Sequence, residues 1–272
     1  MKKKIVYLSL TADNLHHGHI KLIQEAKKFG LLIVGLLTDR AVSKNKRIPL
    51  LNYDHREMII KNISGVNKVI PQNEWDDSVN IKKLKPDYVI HGDDWLQGPQ
   101  SNLRLKVIKV LKKYGGKLIE FPHTKGISST ALSRYEIEQG IQPESRLKNL
   151  KKALSVKKIV RIIETHSPIS GIIAEKASEN INGKINYFDG FWSSSLTDAS
   201  HKGKPDIEAL NISERLENIN NIFEVTSRPL IMDIDTGGKV EHLKLNIKSL
   251  ERLGVSAIIM EDKTGLKKNS LH

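Results

Sequence analysis

The first half of the chain alternates short apolar runs with segments in which apolar residues recur at helical spacing. The apolar runs predict strands over residues 4–10, 31–37, 66–70, 88–91 and 117–121. The periodic segments predict helices over residues 19–29, 53–63, 80–84, 102–114 and 129–139. Such alternation is typical of an α/β domain with a parallel sheet covered by helices, whose ligands bind at the carboxyl ends of the strands.

A second series of elements follows a break in this pattern. A polar stretch with Gly140 and Pro143, followed by the basic helix-like run 146–154, interrupts the alternation, and we interpret it as a linker that separates domains at 1–145 and 146–272. Beyond it the pattern predicts strands over residues 158–163, 185–191, 229–233 and 257–261. It predicts helices over residues 171–178, 213–224 and 240–253. Three of these strands end in polar clusters, as strands do at the active face of a (β/α) barrel, but a whole barrel normally needs about 250 residues.

Composition narrows the classes of function. The chain has 272 residues and a formal net charge of +13, which favours anionic partners. Its basic residues are scattered and 5% of its residues are aromatic, so we expect phosphorylated small molecules rather than nucleic acid. The absence of cysteine excludes disulfides and thiolate catalysis. No apolar run approaches the roughly 20 residues of a membrane span, and we expect a cytoplasmic protein.

The turn His16-His17-Gly18-His19, after the first predicted strand, is the main candidate for chemistry. The start of a helix attracts anions, Gly18 lets backbone approach a ligand, and each histidine can donate to a phosphate oxygen. By itself the turn is equally consistent with a solvated surface loop. Later polar segments supply further candidates, namely Asp13, Lys44, Lys46, Arg47, Arg56, Asp93, Trp95 and residues 124–130.

These motifs resemble the HxGH nucleotidyltransferase superfamily, and are most similar to cytidylyltransferases that act on glycerol phosphate. The resemblance covers residues 4–139 and rests on HxGH, YxxR, GDDW and GISST. It implies a Rossmann-like domain in which an acceptor phosphate attacks the α-phosphorus of CTP and pyrophosphate leaves, with Mg²⁺ as a bridging ion. Two departures would reshape the pocket: residues 10–13 read LTAD where the family has a Gly-(Thr/Ser)-Phe-Asp segment, and His123 replaces a frequent Arg.

The same resemblance implies roles for individual residues. His16 and His19 would stabilise the triphosphate in the transition state. Lys46 would neutralise phosphate charge, with Lys44 or Arg47 as alternatives. Arg56 would bind phosphate or order the site. The implied nucleotide-binding residues are Thr11, Asp13, Gly18, Asp93, Trp95, Gly126, Ile127, Ser128 and Thr130.

The second half has its own candidate site. Asp233 and Asp235 share one face of a strand end, and with Glu261 they would repel one another unless a cation such as Mg²⁺ lies between them. Alone, they would be typical of an ordinary loop with capping residues. Together with Trp192-Ser193-Ser194-Ser195, Lys204-Pro205-Asp206 and the EDKxxxKxNS run that begins at Glu261, they resemble the phosphoenolpyruvate mutase branch of the isocitrate lyase superfamily.

This second resemblance implies the first part of a (β/α)8 TIM-type barrel that rearranges phosphoenolpyruvate to phosphonopyruvate. Asp233, Asp235 and Glu261 would hold Mg²⁺. Trp192, Ser194 and Ser195 would shape the substrate pocket, and Asp206 would orient the transferring phosphoryl group. Lys267, Asn269 and Ser270 would belong to a loop that closes over the substrate. The family also uses an Arg and a His from later strands, so we expect a fragment of a longer protein, with a vestigial half barrel as the alternative.

Both resemblances occur together in fused phosphoenolpyruvate mutase/cytidylyltransferase enzymes of phosphonate biosynthesis. They imply a bifunctional, homo-oligomeric enzyme that uses CTP, a phosphonate or phosphate acceptor, and phosphoenolpyruvate. Two alternatives remain open: a basic binding or scaffold protein that has lost catalysis, and a nucleotidyltransferase that uses another nucleotide such as ATP.

Overall fold

The computed structural model describes residues 3–96, 101–122, 142–181, 184–263 and 267–268. These residues fall into two compact units. The first lies within Met1–Tyr135 and Asn180–Ile185, and the second within Glu136–Glu179 and Asn186–His272. Within the described ranges, no helix is long and apolar enough to cross a membrane.

The first unit is a five-stranded parallel sheet in the order β3-β2-β1-β4-β5. Its strands are β1 (Ile5–Leu10), β2 (Leu31–Leu37), β3 (Val66–Gln72), β4 (Tyr88–Gly92) and β5 (Lys117–Phe121). Its helices are α1 (His17–Ala26), α2 (Asp39–Ser43), α3 (Tyr53–Lys61), α4 (Ser78–Leu84) and α5 (Ser101–Lys112). Two apolar clusters pack on the sheet, one around Leu8 and Val34 and the other around Tyr7 and Val89. The prediction of a Rossmann-like parallel sheet is confirmed.

Two details of the first unit differ from the predictions. Helix α1 begins at His17 rather than at residue 19, because His16 caps it. The short helix α2 was not predicted; Thr38 caps it by accepting from the Ala41 N–H at 3.3 Å. The helix expected over 129–139 lies outside the described residues.

The second unit contains a four-stranded parallel sheet in the order β11-β10-β9-β6. The strands from here on are β6 (Ile162–Glu164), β7 (Ser178–Ile181), β8 (Lys184–Tyr187), β9 (Gly190–Ser193), β10 (Leu230–Asp233) and β11 (Ala257–Ile259). The helices are α6 (Pro143–Val156), α7 (Pro168–Lys176), α8 (Ser195–His201), α9 (Ile212–Val225) and α10 (Val240–Leu253). The apolar core of this sheet is built around Phe191, Met232 and Ile219. Closure of the sheet into a barrel remains a proposal.

The basic run 146–154 lies within α6, as its helix-like pattern predicted, but its interpretation as a linker is wrong, because the helix belongs to the second unit. Arg146 of that helix is buried and donates to the carbonyl oxygens of Phe223 at 2.8 Å, Arg228 at 3.0 Å and Thr226. Burial lowers the pKa of Arg146 to about 10, so it remains charged at neutral pH. The boundary at residue 145 falls inside this helix, and the division into domains remains a proposal.

The single strand predicted over 185–191 is also wrong, because β8 ends at Tyr187 and β9 begins at Gly190. Asp189 lies between them and is 9% exposed. Its carboxylate accepts from the Arg161 N–H at 2.9 Å and pairs with the Lys157 ammonium. The two strands are therefore separated by a residue whose carboxylate is satisfied by Arg161 and Lys157.

Candidate active sites

The histidine turn begins α1 at the carboxyl end of β1. His16 is the N-cap residue; its Nδ1 accepts from the Gly18 N–H at 3.1 Å, and its own N–H donates to Nδ1 of His19 at 3.3 Å. This reciprocal arrangement is a capping box in which histidines replace the usual Ser or Thr and Glu. The His16 and His19 ring centroids lie 4.1 Å apart, so the cap itself brings the two predicted catalytic imidazoles together.

The same bonds determine the tautomers of these rings. Because Nδ1 accepts a hydrogen bond in both His16 and His19, each neutral imidazole carries its proton on Nε2. An Nε2–H group is a donor of the kind that phosphate oxygens accept. The turn can therefore present two N–H donors to a phosphate chain.

Arg56 fixes the segment that precedes the turn. Its fully buried guanidinium donates to the Thr11 carbonyl oxygen, to the Leu51 carbonyl oxygen at 3.1 Å and to Asp39 at 2.6 Å. Asp13 accepts from the Leu51 N–H at 3.2 Å, which ties the same two segments together a second time. Of the two roles predicted for Arg56, these contacts support ordering of the site.

The basic residues that follow β2 differ in their exposure and in their contacts. Lys44 pairs with Glu74 at 2.8 Å. Lys46 is exposed, and its ammonium lies 5.3 Å from the centroid of the Trp75 ring. Arg47 is exposed as well. Lys46 stays the proposed phosphate-neutralising residue, with Lys44 or Arg47 as the alternatives.

The end of β4 carries the GDDW segment as a short 3₁₀ turn, Asp93–Trp95. Trp95 is buried, stacks on His91 with ring centroids 3.6 Å apart, and donates from Nε1 to Glu120 at 2.5 Å. Hydrogen bonds from Arg104 hold the pKa of Glu120 below its ordinary value, so this carboxylate stays ionised. Asp93 is partly exposed, and its role and that of Trp95 in nucleotide binding remain proposals.

Several predicted residues lie outside the described ranges. They are Gly126, Ile127, Ser128 and Thr130 of the late nucleotidyltransferase motif, and Asn269 and Ser270 of the closing mutase motif.

A buried polar network between β1 and β3 was missed by the sequence analysis. Asp77 accepts from Ser9 at 2.9 Å and from Gln72 at 2.5 Å, and Gln72 also accepts from the Tyr7 hydroxyl. Burial raises the pKa of Asp77 above its ordinary value of 3.8, and it raises the pKa of Tyr7 well above 10.0. The signal was weak, because Asp77 lies in the polar segment 73–77 and resembles a solvated loop residue.

The second site lies at the carboxyl ends of β9 and β10. The Ser195 hydroxyl donates to Asp233 at 2.9 Å, while the Ser194 hydroxyl caps α8 by accepting from Thr197 at 3.5 Å. Trp192, on β9, pairs in register with Ile231 of β10 and is half-buried. Ser195 is thus in contact with a predicted metal ligand, whereas Ser194 caps helix α8.

Lys267 and Asp206, both predicted for this site, meet inside it. The buried Lys267 ammonium donates to Asp206 at 2.9 Å, to Ser195 at 3.0 Å and to Asp235. Burial lowers the pKa of Lys267, but the hydrogen bonds that it donates to Asp206 and Asp235 outweigh this effect and raise the pKa to about 12. Asp235 adopts a left-handed φ of 55°, a strained conformation for a non-glycine residue that is common at functional sites.

Arg215 belongs to this cluster and was not predicted. It is 3% exposed and donates to Asp198 at 2.8 Å and to the Asp233 carbonyl oxygen at 2.5 Å, and it lies 3.7 Å from the Asp235 carboxylate. Its spacing could have revealed it, because Ile219 and Ile222 follow at i+4 and i+7 on the same buried face of α9.

The three carboxylates predicted to hold Mg²⁺ do not form a metal site in this arrangement. Asp235 is bonded to Lys267, and Glu261 pairs with Lys263 at 2.5 Å. Asp233 accepts from Ser195 and from the Asp235 N–H at 2.9 Å. Over the described residues, no group of three or more histidine or acidic side chains is placed to hold a metal ion.

Comparison with known proteins identifies the family to which the first unit is related. A family model described as Cytidylyltransferase-like matches residues 11–135. The glycerol-3-phosphate cytidylyltransferase of Bacillus spizizenii is 38% identical over 136 residues, which cover 49% of this chain and 96% of that protein. This chain belongs to the cytidylyltransferase family. The prediction that a cytidylyltransferase domain lies in the first half is thereby confirmed.

The second half carries a phosphoenolpyruvate mutase domain, as predicted. The family model described as Phosphoenolpyruvate phosphomutase matches residues 150–272. The phosphonopyruvate hydrolase of Variovorax sp. is 34% identical over 123 residues, 45% of this chain and 39% of that protein. The structure of phosphoenolpyruvate phosphomutase from Streptomyces platensis is 29% identical with a TM-score of 0.41, over 46% of this chain and 41% of that chain. The chain spans about two fifths of the length of these two relatives. The family matches of both domains and the curated relatives identify it as an enzyme.

Proposed function

We propose that the first domain transfers a cytidylyl group from CTP to a phosphonate or phosphate acceptor. An acceptor oxygen attacks the α-phosphorus and forms a new O–P bond, while the bond between the α-phosphorus and its bridging oxygen breaks and pyrophosphate leaves with the electron pair. CTP enters as its Mg²⁺ complex. Such a reaction needs positioned groups and neutralised charge rather than a covalent enzyme intermediate.

The observation that supports this proposal most directly is the histidine capping box. Both imidazoles have their proton on Nε2 and lie side by side at the carboxyl end of β1. They can donate to the phosphate oxygens on which charge grows during displacement. Arg56 acts as a positioning residue, because its guanidinium holds the Thr11 carbonyl oxygen and Asp39 rather than solvent.

For the second domain we propose the isomerisation of phosphoenolpyruvate to phosphonopyruvate within a longer parent enzyme. The phosphoryl group leaves the enol oxygen as the O–P bond breaks, and a C–P bond forms at the methylene carbon. In this proposal Asp206 orients the transferring phosphoryl group and Ser195 shapes the substrate pocket, and both contact Lys267. A phosphonopyruvate product would also restrict the acceptor of the first domain to a phosphonate derived from it.

One matrix of assays tests the proposed function. The chain is incubated with each of CTP, ATP, GTP and UTP against a panel of acceptors that includes 2-aminoethylphosphonate and glycerol 3-phosphate, and pyrophosphate release is measured. We expect release with CTP and a phosphonate. Release with ATP instead would show a different nucleotide, and no release from a folded protein would favour the scaffold alternative.

The second activity is followed separately by ³¹P NMR of phosphoenolpyruvate with the full-length parent. A phosphonate resonance would support the mutase. Inorganic phosphate formed from added phosphonopyruvate would instead indicate hydrolysis, the activity named for the Variovorax relative.

A further inference from the structure

The carboxylate cluster of the second unit already contains a cation, and this cation is a side chain of the protein. The Lys267 ammonium has three N–H donors, and three acceptors surround it: Asp206, Ser195 and Asp235. The side chain is 2% exposed, so water contributes little to its solvation. Both carboxylates contact it through Oδ1.

Charge explains why a cation is needed at this point. Asp198, Asp206 and Asp235 are each less than a tenth exposed, and buried carboxylates are costly without a counter-ion. Arg215 neutralises the Asp198 side of the cluster through its bond at 2.8 Å. Lys267 pairs with Asp206 at 2.9 Å and neutralises charge on that side of the cluster.

We propose that the Lys267 ammonium and a divalent metal ion are mutually exclusive occupants of the Asp206–Asp235 position. A hard divalent ion lies about 2.0–2.6 Å from carboxylate oxygens. The ammonium nitrogen stands 2.9 Å from Asp206 Oδ1 and closer to Asp235 Oδ1, so it fills the space that an ion bound to both oxygens would need. This inference rests on the proposed function of the second domain, since a mutase of this family is expected to use Mg²⁺.

The frame of the cluster does not depend on Lys267. The Asp235 N–H donates to Asp233 at 2.9 Å, and the Asp235 carbonyl oxygen accepts from the Glu261 N–H at 2.7 Å. Loss of the ammonium would therefore leave the Asp235 segment in place and remove the cation that competes with a divalent ion for the Asp206 and Asp235 carboxylates.

The test uses Mn²⁺ as the probe, with free Mn²⁺ measured by electron paramagnetic resonance. We compare the wild-type chain, Lys267→Met and Lys268→Met, where Lys268 is the exposed neighbour and serves as the matched control. We expect Lys267→Met to bind Mn²⁺ at least tenfold more tightly than the wild type, and Lys268→Met to match the wild type. Equal or weaker binding by Lys267→Met would overturn the proposal.

A second measurement needs no variant and covers the case in which Lys267→Met does not fold. The wild-type chain is acylated with an amine-reactive reagent at increasing MnCl₂, and modification of each lysine is measured by mass spectrometry. We expect Mn²⁺ to increase the modification of Lys267 severalfold while that of Lys268 stays constant. Constant modification of Lys267 at saturating Mn²⁺ would overturn exclusion. If both results hold and the full-length parent makes no phosphonopyruvate, the proposed function fails while the exclusion stands.

Discussion

Arg56 and Asp39 form an ion pair of 2.6 Å that joins α3 to the first residue of α2. The Arg56 side chain is completely buried and that of Asp39 is 16% exposed. The same guanidinium holds the carbonyl oxygen of Thr11, five residues before His16. The pair thus connects the end of β1, where the histidine turn begins, to the segment that follows β2.

We expect Arg56→Met to lower the free energy of unfolding by about 3–5 kcal/mol, because it leaves a poorly solvated Asp39 without its partner. Urea denaturation measures this, with Arg40→Met as the control, since Arg40 is the exposed neighbour of Asp39. A stable Arg56→Met protein whose KM for CTP alone rises would contradict a positioning role and indicate direct phosphate binding.

His16→Asn separates the capping role of His16 from its proposed chemical role. An asparagine side chain is a good N-cap and can accept from the Gly18 N–H, so unfolding should change by less than about 1 kcal/mol. Cytidylyl transfer should fall by at least about 100-fold, the usual effect of losing a donor to developing charge. Thermal unfolding and pyrophosphate release measure the two effects. Loss of stability together with normal cytidylyl transfer would show that His16 acts as a helix cap and not in catalysis.

Asp77 should make stability depend on pH. Its pKa is raised on folding, so the native state binds more protons than the unfolded chain above pH 3.8. The stability contributed by the protonated form is complete below that pH and is lost as the pH rises through the raised pKa. Asp77→Asn removes this contribution. As the pH rises from 3.8 through the raised pKa of Asp77, the free energy of unfolding should therefore fall less in the variant than in the wild type. Parallel curves for the two proteins, from denaturant unfolding at several pH values, would exclude this effect.

Gly35→Ala tests the packing of the Tyr7–Gln72 contact. A Cβ atom at Gly35 would overlap the Tyr7 hydroxyl and lie 2.8 Å from Gln72 Oε1. We expect a loss of about 1–3 kcal/mol, typical of overpacking. Tyr7→Phe removes the overlapping oxygen, so the double variant should lose less than the sum of the single changes. Strict additivity in chemical denaturation would show that the hydroxyl is not the obstacle.

Much of the first unit could be predicted from the sequence. The runs at Leu31–Leu37 and Lys117–Phe121 became strands with those same ends. The first is a largely buried strand with a continuous apolar pattern, and the second is a partly buried strand at the edge of the sheet. In the second unit, amphipathic spacing correctly predicted α10 at Val240–Leu253. The family motifs found the histidine turn, but the reciprocal bonds between His16 and His19 depend on backbone geometry that a motif does not contain.

The burial of three arginine side chains was the main feature that the sequence analysis did not predict. Arg56 was predicted to bind phosphate or to order the site, Arg146 was assigned to a linker, and Arg215 was not predicted. Each is buried, and each precedes a buried aliphatic residue at i+4: Ile60, Leu150 and Ile219. The helical period therefore places these arginines on the core face. What sequence could not supply is the set of carbonyl and carboxylate acceptors that makes their burial favourable.

Transfer of radiolabel from [α-³²P]CTP to a phosphonate acceptor tests the central claim most directly. The wild-type chain, His19→Ala and His17→Ala are compared, since His17 is the exposed histidine between the two catalytic candidates. The account predicts labelled product with the wild type and His17→Ala, and at least about a 100-fold slower rate with folded His19→Ala. Near-normal transfer by His19→Ala would contradict it.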